Sequence, residues 1–178
     1  MVAVMQGGGV PTQADFHAAI TARADRWVAA CLRITRSREL AEDAVQEALL
    51  SAWNKRDQFQ GGARLDTWIH RIAVNAALQL LRKQRPANFD SLDFEVMDDG
   101  DLPEDERLAE ELEADLTSAL DHLTDIERTC FVLKHLEQWR LKEIGDELEL
   151  SVGTVKQALF RGVRKLRRHM PALRSVDK

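Results

Sequence analysis

Residues 136–169 read LEQWRLKEIGDELELSVGTVKQALFRGVRKLRRH, and the spacing of their apolar positions decides how the chain is built. Val155, Leu159, Val163 and Leu166 recur at steps of four, four and three, the period of one side of a helix. Lys156, Gln157, Arg161, Arg164, Lys165, Arg167 and Arg168 fill the remaining turns, so this helix is basic behind a narrow apolar stripe. Ser151 stands where an N-cap hydroxyl satisfies the first free amides. Ile144 and Leu148, on a shorter helix before it, face Val155 across a tight turn. Two helices so joined form a helix-turn-helix pair, and the second has the composition of one that enters the major groove of duplex DNA.

Near the start of that helix Thr154, Lys156, Gln157, Phe160 and Arg161 are placed to reach base edges or the nearest phosphates. Arg164, Arg167 and Arg168 lie further along, where they hold the backbone. Phe160 flanks the stripe, and both core packing and contact with a thymine methyl suit it. Charge alone is equally met by a solvated basic helix. The turn that precedes it is what favours DNA.

The net charge of −5 over 178 residues conceals a strong pattern. Residues 52–89 carry +5 and residues 151–178 carry +7, and between them residues 90–127 carry −15. Arrangement therefore matters more than the total. Cys31 and Cys130 each sit inside a helical apolar pattern without metal spacing, and read as buried thiols of a reducing compartment. No apolar run spans a bilayer and no secretory leader is evident, so no membrane insertion and a cytoplasmic location are expected. The five histidines are scattered, and Gly61-Gly62 lacks the strand and lysine of a phosphate-binding loop. No catalytic residue, metal or cofactor is expected, and an enzyme is disfavoured.

An all-α fold is expected, with two small helical domains joined by an acidic linker. A disordered leader covers 1–11, and an N-terminal helical domain covers 12–85. Its first helix runs from Thr12 to Thr35, with Phe16, Ile20, Trp27, Val28 and Leu32 inward. The second follows Ser37 to about Gln58, burying Ala41, Val45, Leu49, Ala52 and Trp53. After the loop Gln60-Gly61-Gly62-Ala63, a third runs from Asp66 to Lys83. Residues 86–102 are the acidic linker. A C-terminal helix-turn-helix domain covers 103–170, with helices over Glu104–His122 and, behind a capping box at Thr124-Asp125-Ile126-Glu127, to about Gln138. A tail covers 171–178.

Two further surfaces carry chemistry. On the third helix Trp68, Arg71, Asn75, Gln79 and Arg82 share one face, with Ile69, Ile72, Ala73, Ala76 and Leu80 on the other. An aromatic, two amides and two cations suit stacking on, and hydrogen bonding to, unpaired bases. The Gly-Gly loop with Arg64 adds the wall of a pocket for an extruded base. A half-buried Trp among solvated neighbours meets the same composition. On the second helix Asp43, Gln46, Glu47 and Leu50 make an acidic stripe beside an exposed Leu, which suits a basic partner protein as well as plain solvation.

Together AEDAVQEALLSAW (41–53), FQGGARLDTWIHRIAVNAALQLLR (59–82) and LTDIERTCFVLKHLEQWRLKEIGDELELSVGTVKQALFRGVRKLRR (123–168) resemble the extracytoplasmic-function (ECF) class of bacterial RNA polymerase sigma factors. The resemblance covers about Val28–Arg85 and Leu120–His169. It implies that Asp43, Gln46, Glu47 and Leu50 dock on core RNA polymerase. It implies that the 59–65 loop with Arg64, and the face of Trp68, Arg71, Asn75, Gln79 and Arg82, open and capture the minus-ten element of promoter DNA. Thr154, Lys156, Gln157, Phe160, Arg161, Arg164 and Arg167 would then read the minus-35 duplex. An anti-sigma factor is an expected partner. The chain departs from the pattern where Ala158 replaces a usual basic residue, Gln157 a small hydroxyl, and Trp139-Arg140 a small-residue turn. Competing readings are a sigma mimic that sequesters an anti-sigma factor and a LuxR-type regulator, which leaves 41–82 unexplained.

Overall fold

The computed structural model describes residues 9–85 and 113–170. Most of the expected leader, the acidic linker, the 104–112 part of the fourth helix and the tail lie outside the described residues. The chain divides between Gln84 and Arg85 into two compact units. Among the described residues there is no strand, and no helix is long and apolar enough to cross a membrane.

The first unit packs three helices against one another: α1 (Gln13–Thr35), α2 (Arg38–Asn54) and α3 (Leu65–Gln84). Thr12 and Asp15 start α1 with a reciprocal capping box, and Ser37 caps α2. Between those caps Arg36 closes α1 in the left-handed region at φ 58°, its N–H donating to the Leu32 carbonyl. A 3₁₀ turn at Arg56–Gln58 follows α2 where the sequence suggested a longer helix.

Alanines dominate the seam. Ala41, Ala44, Ala48 and Ala52 of α2 and Ala73 and Ala77 of α3 are fully buried, which lets the backbones approach closely. Trp27, Ile34, Ile69, Leu78 and Leu81 fill the remaining volume. The expected inward face of α1 is only partly right. Phe16 and Trp27 are buried, whereas Ile20, Val28 and Leu32 are half-buried and Ala30, Cys31 and Ile34 take the centre. Trp53, expected in the core, is 36% exposed. It lies one residue past Ala52, about 100° further round α2, at the seam's rim. There its ring meets Phe16 edge-on at 5.2 Å and carries the Arg56 guanidinium 4.2 Å over its face.

The second unit comprises α4 (Glu113–Leu120), α5 (Asp125–Phe131), a single π turn (Val132–Leu136), α6 (Leu141–Leu148) and α7 (Val152–His169). The capping box expected at Thr124 and Glu127 is present and starts α5. The helical backbone continues from α5 through the π turn to Leu136, close to the expected end near Gln138. Gln138 adopts φ 59° and turns the chain back, so that Trp139 enters the core and its N–H donates to the Leu133 carbonyl at 2.9 Å. The Trp139 that replaces the usual small residue is thus a buried core residue, while Arg140 beside it is exposed.

α6 and α7 form the helix-turn-helix. Glu149, at φ 57°, ends α6, and the Leu150 N–H returns to the Gly145 carbonyl at 2.8 Å. A Cβ on Gly145 would stand 2.7 Å from the Leu150 carbonyl oxygen, so only glycine admits so tight a turn without displacement.

Candidate nucleic-acid interfaces

α7 presents the surface that its sequence implies. Ser151 caps it, its hydroxyl accepting the Thr154 N–H at 3.1 Å. Val155, Ala158, Leu159, Gly162 and Leu166 are buried, with Val163 half-buried beside them. Lys156, Phe160, Arg164 and Arg168 point outward, and Thr154, Gln157, Arg161 and Arg167 lie at the rim. Phe160 is 45% exposed, so the core-packing alternative is gone. Burial of position 158 explains why Ala suits it here. Gln157 turns its amide oxygen inward, where it is buried without a hydrogen-bond partner. Lys165 is committed within the unit, its ammonium 2.7 Å from a carboxylate oxygen of the buried Glu127.

That Glu127 oxygen also accepts the Thr124 N–H at 3.0 Å, so one side chain caps α5 and holds α7. Beside it Arg128 and Asp125, both almost wholly buried, pair at 2.7 Å. Loss of one partner of such a pair typically costs 3–5 kcal/mol, roughly, because a charge is left in the core. α7 is therefore tied to α5 through Glu127, beside a buried ion pair.

On α3 the predicted division of faces is only partly right. Arg71 and Gln79 are exposed, Trp68, Asn75 and Arg82 are half-buried, and Ile69, Ala73 and Ala76 are buried. Ile72 and Leu80, however, are half-buried, and Val74, Ala77, Leu78 and Leu81 take the core. The Asn75 amide oxygen is buried and lacks a hydrogen-bond partner. Trp68 has a companion that helical periodicity could not show: Phe59, from the far end of the loop, tilts against it with ring centroids 5.2 Å apart. Gly61 bends the loop at φ 70°, with open space where a Cβ would stand.

Arg64 lies at the end of that loop and forks onto Asp66, Nε and Nη2 each at 3.1 Å from a carboxylate oxygen. Asp66 also accepts the Thr67 N–H at 2.9 Å and meets Arg23 of α1 at 3.3 Å. Burial alone would raise the Asp66 pKa, but the Arg64 fork, the Thr67 N–H and Arg23 outweigh it and hold the carboxyl below its ordinary value. Sequence reading missed both Arg23 and Asp66. An Asp in a first helical turn is visible, but its partner across the unit is not.

On α2, Asp43, Gln46, Glu47 and Leu50 are all exposed, Leu50 to 67%. Trp53 extends this face with a second apolar group, one that the sequence reading had placed in the core. Among the described residues, no group of acidic, histidine or cysteine side chains is placed to hold a metal ion.

Comparison with known proteins places this geometry. Residues 20–87 match the family model of sigma-70 region 2, and residues 113–166 match sigma-70 region 4. The ECF RNA polymerase sigma factor SigW of Bacillus subtilis is 35% identical over 152 residues, covering 79% of this chain and 80% of that protein. The ECF RNA polymerase sigma-E factor of Haemophilus influenzae is 36% identical over 135 residues, covering 70% and 71%. Among solved structures, the sigma factor RpoE of Bartonella quintana, in complex with the anti-sigma factor NepR, aligns with a TM-score of 0.56 at 23% identity, covering 92% of this chain and 99% of that one. CnrH, in complex with the cytosolic domain of CnrY, aligns with a TM-score of 0.51 at 23% identity, covering 94% and 92%.

Proposed function

Because the chain belongs to the extracytoplasmic-function RNA polymerase sigma factors, we propose that its three surfaces divide promoter-specific initiation among them. Asp43, Gln46, Glu47 and Leu50 dock on core polymerase. Trp68, Arg71, Asn75, Gln79 and Arg82, with the loop ending at Arg64, take the unpaired bases of the minus-ten element. Thr154, Lys156, Gln157, Phe160 and Arg161 read the minus-35 duplex, and Arg164 and Arg167 hold its backbone. The observation that carries this reading is the division of α7, whose apolar side is buried while Lys156, Phe160 and Arg164 face outward. A helix inserted in the major groove reads through that outward side. An anti-sigma factor is the expected regulator, as in the RpoE complex with NepR, and the site of action is the cytoplasm. The chain directs the polymerase and carries no reaction of its own.

Run-off transcription with purified chain, core polymerase and genomic templates tests the reading. A promoter-specific product is expected, and its absence from every template overturns the assignment. In the same system Asp43→Arg combined with Glu47→Arg should abolish binding to core polymerase with an unchanged circular-dichroism spectrum. Binding at the wild-type level removes α2 from the docking surface.

A further inference from the structure

The loop 59–64 bends at a glycine in the left-handed region with open space around it, so its shape depends on how its two ends are fastened. Its first end is held by the Phe59 ring against Trp68. Its second is held by Arg64, whose Nε and Nη2 both donate to Asp66. Those two donors form the edge of a guanidinium that matches a phosphate in bidentate fashion, and here they are already spent on a carboxylate. The same carboxylate accepts the Thr67 N–H at the start of α3 and meets Arg23 from α1. Its side chain is 12% exposed against 57% for Arg64, so the acid is the fixed partner and the cation the one drawn to it. The first turn of a helix also favours a negative charge.

We propose that Arg64 and Asp66 act as one positioning unit, fastening the 59–64 loop to α1 and α3 in the shape that receives an unpaired base. Arg64 does this through Asp66 and not by gripping phosphate. The inference rests on the base-capture reading of α3 and assigns Asp66 and Arg23 a part in it.

A double-mutant cycle tests it. Holoenzyme assembled from the full chain and core polymerase is selected on a pool of forked duplexes with a randomised single-stranded arm. Preference is then the affinity for the selected arm over a scrambled one. Arg64→Ala and Asp66→Asn should each lower that preference roughly fivefold, the scale of one partly exposed charge-assisted pair. The double variant should be no worse than either single one, because the two residues work as a unit. Asp66→Asn keeps an acceptor for the Thr67 N–H, and a thermal melt of each variant verifies the fold. Arg23→Gln, which loosens the same carboxylate from α1, should lower the preference in the same direction, and Asp66→Glu should restore part of it. In Arg64→Ala the salt dependence on the scrambled arm should stay as in wild type, whereas a lost phosphate contact lowers the slope by about one. Additive losses, a reduced slope or an unchanged preference overturn the proposal. A wild-type holoenzyme that enriches no arm removes the base-capture reading itself and the proposal with it. An enriched arm with an additive cycle removes the proposal alone.

Discussion

Replacing Gly145 by alanine puts a methyl group where the helix-turn-helix has no room for one. The added Cβ stands 2.7 Å from the Leu150 carbonyl oxygen, about 0.7 Å inside ordinary van der Waals contact. The obstacle is backbone, and that backbone is held by the Leu150 N–H on the Gly145 carbonyl at 2.8 Å and by the left-handed Glu149 beside it. Overpacking of this kind costs about 1–3 kcal/mol, the strained hydrogen bond about 1 kcal/mol more, and alanine's better helix propensity returns about 1 kcal/mol. The second unit should therefore lose about 1–3 kcal/mol, and its melting temperature about 4–8 °C per kcal/mol. Gly162 is the control. An alanine there meets its nearest neighbour, the Glu127 carbonyl oxygen, at a comfortable 3.6 Å, so the change should be neutral or gain up to about 1 kcal/mol. Amide exchange along α6 and α7 reads this unit directly, and thermal denaturation gives the size of the effect. A Gly145→Ala protein as stable as wild type, or a Gly162→Ala protein that loses as much, refutes the reasoning.

Asp66 and Cys130 give two further tests. The Asp66 carboxyl titrates below its ordinary value when folded, so its contribution is present above the unfolded value and is lost as pH falls through the folded one. Asp66→Asn should therefore show a smaller loss of thermal stability than wild type between neutral pH and pH about 3, and an equal loss removes the Arg64 and Arg23 pairing as its cause. Burial, and to a lesser degree the Glu127 charge, push the Cys130 thiol up to about 12. Only the thiolate attacks thiol reagents, so at pH about 8 Cys130 should label only after unfolding, and rapid labelling of Cys130 in the native protein contradicts its burial.

Local chemistry was the legible part of this molecule. The caps at Thr124 and Ser151 are signalled by residue type and spacing, and both are present. The stripe Val155, Leu159 and Leu166 is likewise a matter of period, and it is buried. Periodicity failed at Trp53 because size argued for burial while angle placed the ring at the rim. The change from α to π geometry after Phe131 leaves no mark in an apolar pattern, although the helix ends at Leu136, close to where the pattern stops. Phe160 was ambiguous in sequence because it borders the stripe, and only the packing of α7 decides its side. The Arg23–Asp66–Arg64 cluster was out of reach for another reason: it joins residues 43 and two positions apart, and only the tertiary fold brings the first of them near.

Glu127 has one more consequence, for how strongly the protein senses ionic strength. By engaging Lys165 it withdraws one ammonium group from the basic helix before any polynucleotide arrives. If α7 docks on duplex DNA as proposed, counting its lysines and arginines overstates the counterions released. Lys156, Arg164 and Arg168 still point outward on the side that carries the Phe160 ring, and attraction to so small a set is won by fit more than by bulk charge.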